Sequence, residues 1–221
     1  MNSSMHRRPP WESDMKLLVA SNNAKKLGEL QRILDQAGIE NVELLALADV
    51  PSYPEPVEDG RTFTENALIK ARAGASNTGL ITLADDSGLE VDALNGMPGV
   101  LSARWAGKHG NDQANNDLLL AQIADIPEEH RGAAFVSVCA IVTPDGREFV
   151  EEGRWHGTLL REPVGTNGFG YDPLFVPMEE SLIEGRDRSS AQLTAQEKDA
   201  LSHRGKALRA LVPAIAELAG Q

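Results

Sequence analysis

Apolar positions along the chain recur with two different periods, and the switches between them mark out the elements. The run "MKLLVASNN", residues 15–23, is a short apolar strand that ends in polar turn residues. Leu27, Leu30, Leu34 and Ala37 then recur at helical spacing, with Gly38 as the stop. "VELLAL", 42–47, reads as a second strand, and "ADVPSYPEPVEDG" after it is a loop with three prolines and four acidic residues. "TFTENALIKARAGASNTG" opens with Thr62 and Glu65 at capping-box spacing, and its Ala67, Ala71 and Ala75 form a small-residue stripe suited to close packing on a sheet. The apolar run Ile81–Ala84 meets Asp85 and Asp86, then resumes through Leu89 and Val91. A polar helix is expected around 111–124, ended by Pro127. From 131 to 162 the pattern becomes a hairpin, with Asp145-Gly146 as its turn, and the glycine-rich "GTNGFGYDPLF" follows. The C-terminal part is helical, with a second capping box at Thr194 and Glu197 and a final apolar face broken by Pro213. Helices interspersed with strands, plus a central hairpin, predict an α/β or α+β fold around a mixed sheet.

Composition narrows the function classes. The chain has 221 residues, room for one large domain or two joined lobes. No run approaches the ~20 apolar residues of a membrane span. The first fourteen residues have no apolar core of a secretory signal and read as a disordered extension. The net charge of −12 argues against a general nucleic-acid binder, whose affinity rests on basic patches. It leaves room for a small anion in a local pocket. The single cysteine, Cys139, lies in an apolar run, and the lack of a second one fits a reducing cytoplasm.

Four polar clusters carry candidate chemistry. Ser21, Asn22 and Asn23, with Lys25 and Lys26, stand at a strand-to-helix junction, where free N–H groups and lysines suit a phosphate. The plainer reading is a capped helix with solvated lysines. Asp85 and Asp86 are adjacent, so on a continuing strand they point to opposite faces. For one ion to use both, the strand is expected to end at Ala84, with Gly88 letting a turn re-aim Asp86. Mg²⁺ prefers one or two carboxylates with phosphate oxygens and water, and Glu58 in the acidic loop is the candidate second ligand. An ordinary Asp-Ser-Gly turn is the competing reading. In "GFGYDP", Phe169 and Tyr171 offer a stacking platform, while Pro173 pushes Asp172 into an extended conformation that presents its carboxylate outward. Aromatics plugging the core would explain the same residues. Finally, Lys198, His203 and Arg204 place cations at or near the start of the last helix, an unfavourable end of its dipole unless a ligand takes them. No histidine or cysteine spacing suits zinc.

"SNNAKKLGEL", "TFTENALIKA", "LADDSGLEVDALNGMPGVLSARWAG", "GTNGFGYDPLF" and "EKDALSHRGKAL", in this order, closely resemble the inosine triphosphate pyrophosphatase family. The resemblance covers Met15 to Ala219 and implies an α/β fold: an elongated mixed β-sheet flanked by helices, with two lobes around a deep central cleft. The expected organisation is therefore a single domain over 15–221 preceded by the extension 1–14. It further implies Mg²⁺-dependent conversion of nonstandard purine nucleoside triphosphates to monophosphate and pyrophosphate by a cytoplasmic homodimer, with neither nucleic acid nor membrane as partner. Ser21, Asn22, Asn23, Ala24, Lys25 and Lys26 would form the triphosphate turn, Lys26 gripping phosphate. Asp86 would be the catalytic carboxylate and a metal ligand, with Glu58 its acidic partner. Ser87 would contact substrate, Phe169, Gly170, Tyr171 and Asp172 would bind the nucleoside, and Lys198, His203 and Arg204 would read the base. Asn22 and Lys25 depart from the family, many members of which carry glycine there. A nucleotide sensor without hydrolysis and a pyrophosphatase of broader specificity are the alternatives.

Overall fold

Strands β1 (Met15–Val19), β2 (Val42–Ala46), β3 (Ile81–Val91), β4 (Gly132–Val142), β5 (Glu148–Leu159) and β6 (Phe175–Pro177) form one mixed sheet in the spatial order β2-β1-β3-β4-β5-β6. Strand β1 is parallel to both neighbours, and the pairs from β3 through β6 are antiparallel. The computed structural model describes residues 14–21, 24–181, 183 and 187–220. The expectation of an extension over residues 1–14 therefore lies outside the described residues, Asp14 aside. Six helices accompany the sheet among those residues: α1 (Ala24–Ala37), α2 (Phe63–Thr78), α3 (Asp112–Gln122), α4 (Met178–Ser181), α5 (Ala195–Leu201) and α6 (His203–Leu218). None of the described helices is long and apolar enough to cross a membrane.

The two capping boxes form as their spacing predicts, at Thr62–Glu65 for α2 and Thr194–Glu197 for α5. Gly38 and Gly146 take positive φ values of 69° and 89° at the end of α1 and in the β4–β5 turn, where a side chain would be strained. Two expectations are overturned. Helix α6 runs through Pro213, because the proline ring already has a helical φ and the buried face of Leu208, Leu211 and Ile215 offsets the missing hydrogen bond. Strand β3 does not end at Ala84 either. It continues through Asp85, Asp86, Ser87 and Gly88 to Val91, paired with β4 along that length.

That continuous strand divides the core. Its even-numbered side packs Ala84 with Ala134, Val136, Val138 and Ala140 of β4 beneath the Ala67–Ala71–Ala75 stripe of α2. Its odd-numbered side carries two separate apolar clusters. Leu83 joins Leu17, Val19, Cys139 and the buried faces of α1 and α6. Leu89 and Val91 join Phe135, Trp155, Tyr171 and α3. Between Leu83 and Leu89 stand Asp85 and Ser87, so the polar break lies where the two clusters do not meet.

Across the sheet at that break the register aligns Ser87, Ser137 and Gly153, a row of small residues. Helix α6 begins over it. A β-carbon at Gly153 would lie 2.6 Å from Ala207 N and would also collide with the His203 carbonyl oxygen. Gly153→Ala is expected to lower stability by about 1–3 kcal/mol through overpacking against immovable backbone, read as a shifted midpoint in urea denaturation.

Candidate active site

The polar break holds two charge clusters, one on each face of β3. On the odd-numbered face, Asp85 is 7% exposed and receives two cations. Lys26, from the first turn of α1, donates to Oδ1 and Oδ2 at 2.8 and 3.0 Å, and Arg204 Nε, from the first turn of α6, reaches Oδ2 at 3.2 Å. Arg204 Nη2 also donates to Ser87 Oγ at 3.3 Å. Burial alone would raise the Asp85 carboxyl, but Arg204 and Lys26 outweigh it and hold the group well below the usual carboxylate range.

On the opposite face α2 supplies the partners. Lys70 Nζ bridges Asp86 Oδ1 at 3.0 Å and Glu58 Oε2 at 3.2 Å, and Asn66 Nδ2 donates to Asp86 Oδ2 at 3.2 Å. Here burial prevails over Lys70 and Asn66, so the Asp86 carboxyl is raised. Adjacent aspartates thus have their proton affinities pushed in opposite directions by their different surroundings. The Lys70 ammonium shows that one oxygen of each carboxylate can face a shared cation. Among the described residues no cluster of three or more His, Cys, Asp or Glu side chains could hold a metal. A pair of carboxylates suffices for Mg²⁺ when phosphate and water complete its shell.

The edge of β3 joins the two faces. Strand β1 stops at Val19, with Ala20 N–H still donating to Leu83 O at 2.8 Å, and Ser102 Oγ takes the Leu89 N–H at 2.9 Å. These bonds show that odd-numbered residues turn their backbone groups to this edge, so Asp85 and Ser87 do so between the two covered stretches. Ser21 directly follows Ala20 there. Asn22 and Asn23 lie outside the described residues, as do the side chains of Ala24 and Lys25.

The nucleoside loop departs from expectation in two places. Phe169 is 66% exposed, as a stacking surface requires, but Tyr171 is 4% exposed and packs in the core with its hydroxyl donating to Ser102 O at 2.8 Å. The apolar ring finds more area inside than a loop offers outside. Asp172 is not presented outward. At 2% exposure it accepts from Ser190 Oγ at 2.7 Å, from Phe169 N–H at 2.8 Å and from Lys198 Nζ, because the tight turn after Gly168 folds it inward. The Lys198 ammonium also stands over the Phe169 ring, 5.4 Å from its centroid. Gly170 is gripped at both backbone groups by α3: Asp112 accepts its N–H at 2.7 Å and Asn116 donates to its C=O at 3.0 Å.

His203 stacks on Phe135 with centroids 5.1 Å apart and leaves Nδ1 without a partner. Burial, then the Arg204 and Lys198 charges, push its pKa well below the ordinary value, so it is neutral at neutral pH. Ser202 caps α6 through Gly205 N–H at 3.1 Å. The sequence reading missed Asn66, Lys70, Asp112 and Asn116. The legible signal for the first two was their four-residue spacing, one turn apart beside the alanine stripe.

A cationic cluster and a carboxylate cluster on the two faces of β3, with an exposed aromatic ring beneath the Lys198 ammonium, are groups suited to a nucleotide-handling α/β protein. Comparison with known sequences places this chain more narrowly. The Ham1 family matches residues 17–214. The chain is 70% identical over 205 residues to a dITP/XTP pyrophosphatase of Corynebacterium glutamicum, covering 93% of this chain and 98% of that one. Among solved structures, the nucleoside-triphosphatase, or dITP/XTP pyrophosphatase, of Mycobacterium abscessus matches with a TM-score of 0.75 at 62% identity, over 91% of this chain and 100% of that one. The Ham1 protein of Staphylococcus aureus matches with a TM-score of 0.80 at 34% identity, over 92% and 99%. The chain belongs to the Ham1 family.

The two aromatics of the loop have separable effects. Tyr171→Phe is expected to cost about 1–2 kcal/mol of stability by leaving the Ser102 carbonyl unpaired. Phe169→Ala should stay within about 0.5 kcal/mol of the parent, because its ring is on the surface. Urea denaturation of both variants checks the contrast.

Proposed function

We propose that the chain hydrolyses dITP, ITP and XTP to the monophosphate and pyrophosphate with Mg²⁺ as cofactor. In this reading residues 15–221 are one domain of two lobes around a central cleft, working as a cytoplasmic homodimer without nucleic-acid or membrane partners. The observation that carries it is the division of charge around β3: two cations on Asp85, and two carboxylates with one lysine at Asp86. Relatives named dITP/XTP pyrophosphatases, at 70% and 66% identity, supply the reaction and substrate class.

Lys26 grips the triphosphate from the cationic side, with Ser87 as a neighbouring donor. Asp86 and Glu58 are the residues that would hold Mg²⁺. That ion supplies neutralisation of phosphate charge. Asp86 takes the proton from the attacking water, a role not open to Asp85, whose two oxygens are held by Lys26 and Arg204. Phe169 stacks the base. Lys198 and the neighbouring donors of α6 address O6, which hypoxanthine and xanthine present as an acceptor. The 6-amino group of adenine would set donor against donor and leave both unpaired.

Product analysis with dITP, ITP, XTP, GTP and ATP tests the reading. Monophosphate and pyrophosphate from the first three, abolished by EDTA, are expected. Release of single phosphates would move the attack to the terminal phosphorus and contradict it. Asp86→Asn should lower kcat by about 10³-fold with an unchanged melting profile, since Lys70 keeps Glu58 as a partner. Retention of near-normal turnover would remove Asp86 from the chemistry.

A further inference from the structure

Asn66 is 2% exposed and its short side chain spends both ends on the site. Its Oδ1 accepts the Gly60 N–H at 2.9 Å, and its Nδ2 donates to Asp86 Oδ2 at 3.2 Å. Gly60 stands two residues after Glu58, so a single amide joins the loop bearing one carboxylate to the other carboxylate itself. We propose that Asn66 is a positioning residue that fixes the spacing of Glu58 and Asp86, and thereby their competence to hold a divalent cation. The inference rests on the reading of these two carboxylates as the Mg²⁺ site.

The helix does not need Asn66 for its own end. Glu65 already accepts the Arg61 and Thr62 N–H groups at 2.5 and 3.2 Å, and Thr62 Oγ1 takes the Glu65 N–H at 3.1 Å. Nor can Lys70 do the same work. Its ammonium bridges the two carboxylates, but a divalent cation arriving there would repel it. A neutral amide orients Asp86 without cancelling the negative charge that a cation requires, and it leaves each carboxylate oxygen a free lone pair. The chemistry selects this side chain. Aspartate could not donate, alanine could do neither, and glutamine is longer by one methylene. The fit is tight as well: a β-carbon at Gly60 would lie 2.6 Å from Asn66 Oδ1 and 2.7 Å from Glu65 Cβ.

Asn66→Ala removes the amide, and Gly60→Ala disturbs it while leaving Asn66 in place. Neither residue touches the proposed substrate groups. Mn²⁺ uptake by the nucleotide-free protein, followed by electron paramagnetic resonance, gives a readout independent of turnover. Both variants should weaken Mn²⁺ binding by about tenfold or more. With dITP they should raise the Mg²⁺ concentration needed for half-maximal rate, leave KM within about twofold, and regain kcat at saturating Mg²⁺. If Asn66→Ala does not fold, Gly60→Ala carries the same test. Unchanged Mn²⁺ affinity in a folded variant, with wild-type binding intact, would overturn the role of Asn66 alone. Wild-type protein that takes up no Mn²⁺ would overturn the metal reading and this inference with it.

Discussion

Two neighbouring carboxylates in an uninterrupted strand must point to opposite faces of the sheet, and the architecture around the site follows from that constraint. Each face of β3 is covered, so each aspartate meets a low-dielectric environment and needs its own cation. Asp85 draws Lys26 from 59 residues away and Arg204 from 119 residues away. Asp86 draws Lys70 from 16 residues away on the other side. Three helices, α1, α6 and α2, are thereby oriented by charges on two consecutive residues. Removing the carboxylate of Asp85, the more deeply buried of the two, would strand Lys26 and Arg204, at a cost of about 3–5 kcal/mol.

Packing decides where those charges become accessible. The odd-numbered face has two apolar clusters that stop short of one another, and Asp85 and Ser87 occupy the interval. At the same level the row Ser87–Ser137–Gly153 lowers the sheet surface, so the first turn of α6 comes close enough to set Arg204 over the break. The edge there is bounded by the Ala20 and Leu89 hydrogen bonds. Among the described residues, the site thus lies where the two apolar clusters of the core do not meet.

Local pattern carried much of this architecture. Capping boxes, the alanine stripe and the Asp-Gly hairpin are written within a few residues and formed as read. Lys26, Asp85, Asp86 and Arg204, which the structure draws into charge clusters, were also marked in the sequence, where polar residues interrupt otherwise periodic runs. What failed was tertiary. Ending β3 at Ala84 assumed that both aspartates must share a face, whereas a second face with its own lysine satisfies them without breaking the ladder. Tyr171 and Asp172 were read as outward because loop composition says nothing about the cavity beneath the loop. Asn66 and Lys70 escaped notice because in isolation they are ordinary polar positions of a helix. Only the closeness of α2 to β3 turns them into partners of Asp86.

The charges themselves are poorly explained by stability. A buried ion pair gains little over apolar residues of the same volume, since desolvation consumes most of the attraction. The flanking positions of β3 and β4 are filled by Leu83, Ala84, Leu89 and Val138, so an apolar solution was physically open at 85 and 86 as well. What the charged solution provides is polarity across one strand. Lys26 and Arg204 against Asp85 leave a formal +1 on one face, and Lys70 against Asp86 and Glu58 leaves −1 on the other. A polyphosphate with a divalent cation has the complementary division of charge. Because the cations are already held on carboxylates, a ligand bound there as proposed would cost little side-chain freedom. The groups that look costly in the folded chain are those whose arrangement the ligand would otherwise have to create.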